Sequence, residues 1–354
     1  MSSLNAWFKE RYKIEPIIDF LKKKEVPVTR GWYWYYLGGV ALFLFIIQVI
    51  SGILLLMYYR AGINDSYESV QFITSRVQFG WLIRSIHGWS ANLMMLAVFL
   101  HMFSVFFQRA YARPREMTWV TGVFLLLLSM AFGFSGYLLP WNELAFFATK
   151  VGTEIVGAIP VIGRALMIVL RGGEDVTGAT LPRFFGFHVA ILPLVFIVFL
   201  SLHLLFIQLQ GMHAPKEWAR RPESERKAMP FFPNFVLRDI LLWLIVLNIV
   251  AVFAVFLPME IGTKAALFAP APASIRPEWY FMFMFQTLKI IPAHIIGFEG
   301  EVIGIMGFIM GFVVLMLVPF IDREDNQVRY RIIKWVGIAV VIFILITTAW
   351  GYLT

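Results

Sequence analysis

The chain has 354 residues, 60% hydrophobic and 15% charged, with a mean hydropathy of +0.76. That balance excludes an ordinary water-soluble globule and fits an all-α, polytopic membrane protein. There is no cysteine, which excludes disulfides, iron–sulfur clusters held by this chain and thiolate-held or covalently attached haem. The formal net charge of +8 points to basic loops on the cytoplasmic face rather than to nucleic acid.

Residues 1–35 read as a cytoplasmic interfacial segment. Trp7, Phe8, Ile14, Ile17, Ile18, Phe20 and Leu21 alternate with charges over 3–29, and no signal-peptide core is visible. The expected first span is 36–58, entered through the aromatic cluster 32–36. The second is 80–108 and the third 117–139, which ends in the turn Leu139-Pro140-Trp141-Asn142. A polar excursion follows over 140–183. Its apolar pieces at 144–156 and 159–170 are too short to cross and are expected as surface helices. The fourth span is 184–208. A basic cytoplasmic linker, 212–236, leads to a fifth span at 237–257, a long loop at 258–300, and spans at 302–320 and 333–353. Asp322, Arg323, Glu324 and Asp325 between the last two read as a solvated turn, and His213 and His294 as structural loop residues.

Orientation follows from the basic residues. Of the 30 Lys and Arg residues, 20 fall in the N-terminal segment and the alternate loops on its side. The positive-inside rule then makes the N-terminus cytoplasmic, and seven spans put the C-terminus outside.

Four of the six histidines lie inside spans. His87 and His101 are fourteen positions apart, which turns a helix by about 1400° and leaves the rings about 40° apart, separated by about 21 Å of rise. His188 and His203 are fifteen apart, about 60° and about 22 Å. Both helices run in the same direction, so His87 faces His188 near one side of the membrane and His101 faces His203 near the other. Two imidazoles at each level suit bis-histidine haem ligation in a four-helix bundle. Zinc is disfavoured, because two ligands per level fall short of its usual set. Gly38 or Gly39 with Gly52, and Gly122 with Gly136, repeat the histidine spacing on the first and third spans. Such glycines let a flat ring approach the backbone.

Two histidine pairs, two glycine pairs, the runs PREMTWVTG (114–122) and SGYLLPWNE (135–143), and PEWY (277–280) together resemble cytochrome b of the quinol-oxidising Rieske/cytochrome b complexes. The likeness covers nearly everything from residue 30 onward. AIPVIG (158–163), LRGG (170–173) and the longer second histidine spacing are similar to cytochrome b6, here with a subunit IV-like part fused on. The resemblance implies a four-helix dihaem core over 36–211 and a three-helix region with the PEWY loop over 237–354.

It further implies that His87 and His188 hold an outer, low-potential b-type haem, with Arg84 pairing a propionate, and that His101 and His203 hold an inner, high-potential one. Glu278 of PEWY would relay a proton from quinol, with Tyr280 and Tyr137 against the ring. Asp239 would lie near an inner quinone. Gln208 and Ser104 depart from the family pattern at that inner end, where Lys24, Arg113 and Arg115 could substitute. The covalent third haem of the b6f branch has no cysteine to hold it. The implied activity is quinol:cytochrome c-type oxidoreduction with proton translocation in the inner (cytoplasmic) membrane, using ubiquinone or menaquinone. The implied partners are a Rieske iron–sulfur protein, a c-type cytochrome subunit, membrane lipid and a second copy of the complex. Two other classes compete: a dihaem membrane anchor of a dehydrogenase, which would need neither PEWY nor the last three spans, and a transporter with structural histidines, which would show no haem absorbance.

Overall fold

The structure is a computed structural model that describes residues 6–7, 10–12, 24–29, 31–266, 275–322 and 326–354. Apolar helices dominate because lipid offers no partner for backbone N–H and C=O groups, so each crossing segment must satisfy them internally. Among the described residues, seven helices are long and apolar enough to cross a membrane: Tyr33–Leu56, Gly80–Phe107, Glu116–Leu138, Thr180–Gln210, Phe231–Phe256, Gly300–Ile321 and Gln327–Leu353. All seven expected spans are therefore present. The fifth starts earlier than the sequence suggested, through a π turn over Phe231–Phe235.

We label the helices α1 (Tyr36–Leu56), α2 (Ser66–Ser75), α3 (Gly80–Phe107), α4 (Glu116–Leu138), α5 (Glu143–Gly157), α6 (Gly163–Arg171), α7 (Thr180–Gly186), α8 (Leu192–Gln210), α9 (Val236–Phe256), α10 (Trp279–Ile290), α11 (Gly300–Ile321) and α12 (Gln327–Leu353). The helices α1, α3, α4 and α8 form the bundle, with α1 packed along α3 and α4 along α8. Val40, Leu44 and Ile47 of α1 meet Met94 and Ala97 of α3, and Val250 of α9 closes this cluster. The short pieces expected in the 140–183 excursion are α5 and α6. Asn142 caps α5 by accepting from Ala145 N at 2.8 Å, which leaves one fewer unpaired amide at the helix start.

Most of the expected interfacial segment lies outside the described residues. Where it is described, Glu25–Pro27 forms a strand (β1) antiparallel to Ala228–Pro230 (β2), with Val26 opposite Met229. The linker is thus pinned to the N-terminal segment. The loop expected over 258–300 contains α10 and a small hairpin, His294–Ile295 with Phe298–Glu299.

The solvated turn after α11 is a correction. Asp322 is 2% exposed and accepts from Arg109 Nε at 2.7 Å, Arg109 Nη2 at 2.6 Å and the Tyr111 hydroxyl at 2.7 Å. Hydropathy reads this carboxylate as solvent-facing because its cation comes from a distant loop. Residues 323–325 lie outside the described residues.

Candidate functional site

The four intramembrane histidines converge as two pairs. The His101 and His203 ring centroids lie 6.5 Å apart with planes at 81°. One metal atom bonded at about 2 Å to a nitrogen on each side, with about 1 Å from each nitrogen to its ring centre, spans about 6 Å. His87 and His188 face each other within electrostatic reach. Among the described residues no three His, Cys, Asp or Glu side chains cluster, so each level offers two ligands.

Each imidazole is seated on a glycine of the neighbouring helix. A Cβ on Gly38 would stand 3.2 Å from His101 Cε1, on Gly52 3.3 Å from His87 Cε1, on Gly122 3.2 Å from His203 Cε1 and on Gly136 2.7 Å from His188 Cε1. The choice between Gly38 and Gly39 is resolved by the structure. Gly38 faces His101, while Gly39 lies against the carboxylate of Asp239.

The histidine tautomers follow from hydroxyls that sequence reading missed. Ser51 Oγ lies 2.9 Å from His87 Nδ1, Thr121 Oγ1 3.1 Å from His203 Nδ1 and Ser135 Oγ 3.0 Å from His188 Nδ1. Each hydroxyl donates its own proton to the carbonyl four residues back: Ser51 to Ile47, Thr121 to Met117 and Ser135 to Ala131. The oxygen must then accept, so the imidazole donates from Nδ1 and keeps its lone pair on Nε2, the form a metal needs. The signal was present in the sequence as Ser-Gly at 51–52 and 135–136 and Thr-Gly at 121–122. These residues suit an iron-bearing macrocycle: facing neutral imidazoles, glycine cradles at both levels and an apolar bundle.

The extra residue between His188 and His203 has a local remedy. Phe187–Ile191, which includes His188, is a π turn that leads into α8, with Pro193 in the first turn. A π turn absorbs one residue, so the fifteen-residue spacing acts as fourteen and the extra twist of about 100° that one added residue brings is removed.

The His87 end is closed by a strap, residues 257–265. Trp89 Nε1 donates to Leu257 O at 2.7 Å, Ser85 Oγ accepts from Met259 N at 3.0 Å, and Arg84 donates to Met259 O at 2.5 Å and Glu260 O at 2.7 Å. Further along, Asn142 donates to Ile261 O at 2.7 Å, Tyr67 to Gly262 O at 2.8 Å, and Lys264 pairs with Glu68. Both terminal nitrogens of Arg84 thus already hold carbonyls, a role the sequence did not suggest.

The PEWY segment enters between α3 and α4. Trp279 Nε1 donates to Asn92 Oδ1 at 2.9 Å. Tyr280, 5% exposed, packs with Met95, Leu126 and Met130, and its hydroxyl lies over Gly133, where a Cβ would stand closer than van der Waals contact permits. Glu278 is half-buried at the start of α10, and burial pushes its carboxyl up from the ordinary value. Tyr280 is pushed up by burial first and then by the nearby Glu278 and Tyr137, so the three expected residues share one cluster. Further along α10, Phe285, Leu288 and Lys289 join Val151, Ile155 and Glu301 in lining an open cleft of about 280 Å³.

At the His101 end, Lys24 Nζ donates to Gln208 Oε1 at 2.6 Å. Arg115 is held by the carbonyls of Gln210 and Met212 at 3.2 and 3.3 Å, and Ser104 donates to His101 O at 2.8 Å. Of the three substitutes expected there, Lys24 is the one joined to Gln208. His213 accepts at its carbonyl from the Tyr35 hydroxyl at 2.6 Å.

This is the architecture of a multi-span redox protein with paired imidazoles in a helical bundle. The chain belongs to the cytochrome b family: residues 23–211 match the family described as Cytochrome b/b6/petB and residues 266–354 the one described as Cytochrome b(C-terminal)/b6/petD. It is 48% identical over 346 residues to the cytochrome bc complex cytochrome b subunit of Chlorobaculum thiosulfatiphilum, which covers 97% of this chain and 79% of that one. It is 44% identical to cytochrome b6 of Synechococcus elongatus over 215 residues, 61% of this chain and all of that one. A solved structure titled Hyperthermophilic respiratory Complex III matches with a TM-score of 0.86 at 31% identity, over 98% of this chain and 91% of that chain. The protein is accordingly a cytochrome b subunit of a bc/b6f-type complex, with haem b as the cofactor its family implies and a redox role within that complex.

Proposed function

We propose that the subunit oxidises quinol on the outer side of the inner (cytoplasmic) membrane, with a Rieske iron–sulfur partner, and reduces quinone on the inner side. The N-terminus is cytoplasmic and the C-terminus outside, so the His87–His188 level is outer and the His101–His203 level inner. The observation that carries this reading is the seating of four imidazoles on four glycines at two levels.

His87 and His188 would hold one b-type haem, and His101 and His203 the other. When bound, these groups supply one-electron carriers through an apolar core that water does not cross. The chain's own residues hold the ligands in one tautomer, exclude water at the outer end with the 257–265 strap, and manage protons at the quinol. With its terminal nitrogens holding the strap, Arg84 would meet a haem propionate through its remaining N–H groups.

Quinol binds beside Glu278, between the PEWY segment and the 136–150 region. Its oxidation releases two electrons, for which the Rieske partner and a haem held by His87 and His188 would be the acceptors. Its hydroxyl protons need a nearby base, and Glu278, half-buried and raised by burial, is suited to accept one. Tyr280 and Tyr137 pack against the ring. Asp239, set against Gly39, and the Lys24–Gln208 pair would serve the inner quinone. Proton uptake inside and release outside make the cycle translocate protons. A c-type cytochrome subunit and a second copy of the complex complete the assembly. Residues 36–211 form the dihaem core, 212–236 the linker and 237–354 the subunit IV-like region.

The test is a redox difference spectrum with haem stoichiometry on the purified complex. Two b-type haems per chain and a co-purifying Rieske protein are expected. A spectrum without haem returns the chain to the transporter reading, and haem without a Rieske partner returns it to the dehydrogenase anchor.

A further inference from the structure

The residue before the glycine is a hydroxyl side chain in three of the four seats, Ser51, Thr121 and Ser135, and Leu37 in the fourth. The three hydroxyl residues are buried, at 4%, 6% and 3% exposure. His101 Nδ1 is buried with no hydrogen-bond partner among the described residues. The outer level therefore has two hydroxyl-bonded imidazoles, and the inner level has one.

We infer that Ser51, Ser135 and Thr121 are positioning residues for the imidazole ligands, and that Leu37, by withholding a fourth acceptor from His101, sets the two haem levels apart in redox potential. This rests on the haem reading above. In three of the seats one helical turn supplies both parts: the glycine opens space for the ring, and the preceding hydroxyl receives its N–H. With its proton held by the carbonyl four residues back, the hydroxyl can only accept. An imidazole that donates from Nδ1 becomes a more basic ligand at Nε2, which favours the oxidised metal and lowers its potential. His101 receives no such help, so the inner level is the more easily reduced. The direction follows from the four seats alone, without reference to propionates or quinones.

Potentiometric titration of the b-type absorbance of the purified complex tests this, together with haem content. Ser51→Ala and Ser135→Ala are expected to raise the midpoint of the outer haem only. Thr121→Val should raise the inner one only, and Leu37→Ser should lower the inner one and narrow the gap. Ser51→Thr retains the hydroxyl and should keep the wild-type midpoint. Loss of haem confined to the level of the substituted seat also supports the positioning role. An unmoved outer midpoint in both serine variants, a shift or loss at the wrong level, or a Leu37→Ser inner midpoint that does not fall overturns the inference. Wild-type protein lacking a bis-imidazole spectrum overturns the haem reading instead.

Discussion

Arg109 and Asp322, 213 positions apart, form a bidentate buried pair with contacts of 2.7 and 2.6 Å. The pair ties the loop after α3 to the end of α11, and so links the two regions that match separate family descriptions. The Tyr111 hydroxyl completes the carboxylate, and the guanidinium lies 4.7 Å from the centre of the Tyr330 ring. Two charges taken from water gain little net energy together, but a single charge left behind is expensive, about 3–5 kcal/mol. Asp322→Ala should therefore destabilise the protein strongly, while Arg109→Met with Asp322→Leu should cost much less than the single change. Thermal unfolding followed by circular dichroism compares them, and equal losses would remove the stranded charge as the cause.

The four glycine seats predict a graded response to one added methyl. Gly136→Ala meets His188 at 2.7 Å, whereas the other three seats leave 3.2 or 3.3 Å. Gly136→Ala should lose the outer haem, and Gly52→Ala should retain most of it. Haem per chain, measured by absorbance against protein concentration, gives the order. Identical occupancy in both variants would show that the seats do not limit the ligands.

Glu278 should impose an acid limb on quinol oxidation. A base must be deprotonated to accept a proton, so the rate falls as pH drops through the raised carboxyl value, above the ordinary 4.5. Among the described residues, Tyr137, Tyr280 and Tyr352 lie within electrostatic reach of it, and Arg276 is bound to the Tyr352 carbonyl. Because burial favours the protonated acid, this group's contribution to stability is present at low pH and is lost as pH rises through the raised value. Glu278→Gln should flatten the limb in steady-state assays over pH. A limb that survives the substitution assigns the proton to another group.

Gly133 predicts a second effect at the same cluster. A methyl there collides with the Tyr280 hydroxyl, which should push PEWY off α4 and slow quinol-driven haem reduction by about 10-fold, an effect of about 1.4 kcal/mol. On a Tyr280→Phe background the added methyl should cost less, because the colliding oxygen is gone. Stopped-flow reduction of the four variants forms the cycle, and an equal cost on both backgrounds would exclude this contact.

Sequence alone determined the seven spans, the depth of the four histidines and the matching glycine period. These follow from rules local to one helix: lipid tolerates only apolar helices that satisfy their own backbone, and rise and twist per residue set where a side chain emerges. Even the orienting hydroxyls were legible in principle, as Ser-Gly and Thr-Gly dipeptides. Tertiary structure decided what depends on how helices rotate against one another. It separated Gly38 from Gly39, one facing His101 and the other Asp239, and it absorbed the odd residue before α8 in a π turn. It closed the His87 end with residues 257–265, and it buried Asp322 against Arg109. Apart from the π turn, each of these joins groups far apart in the chain, so hydropathy and spacing, which are read along one segment, hold no record of the partner.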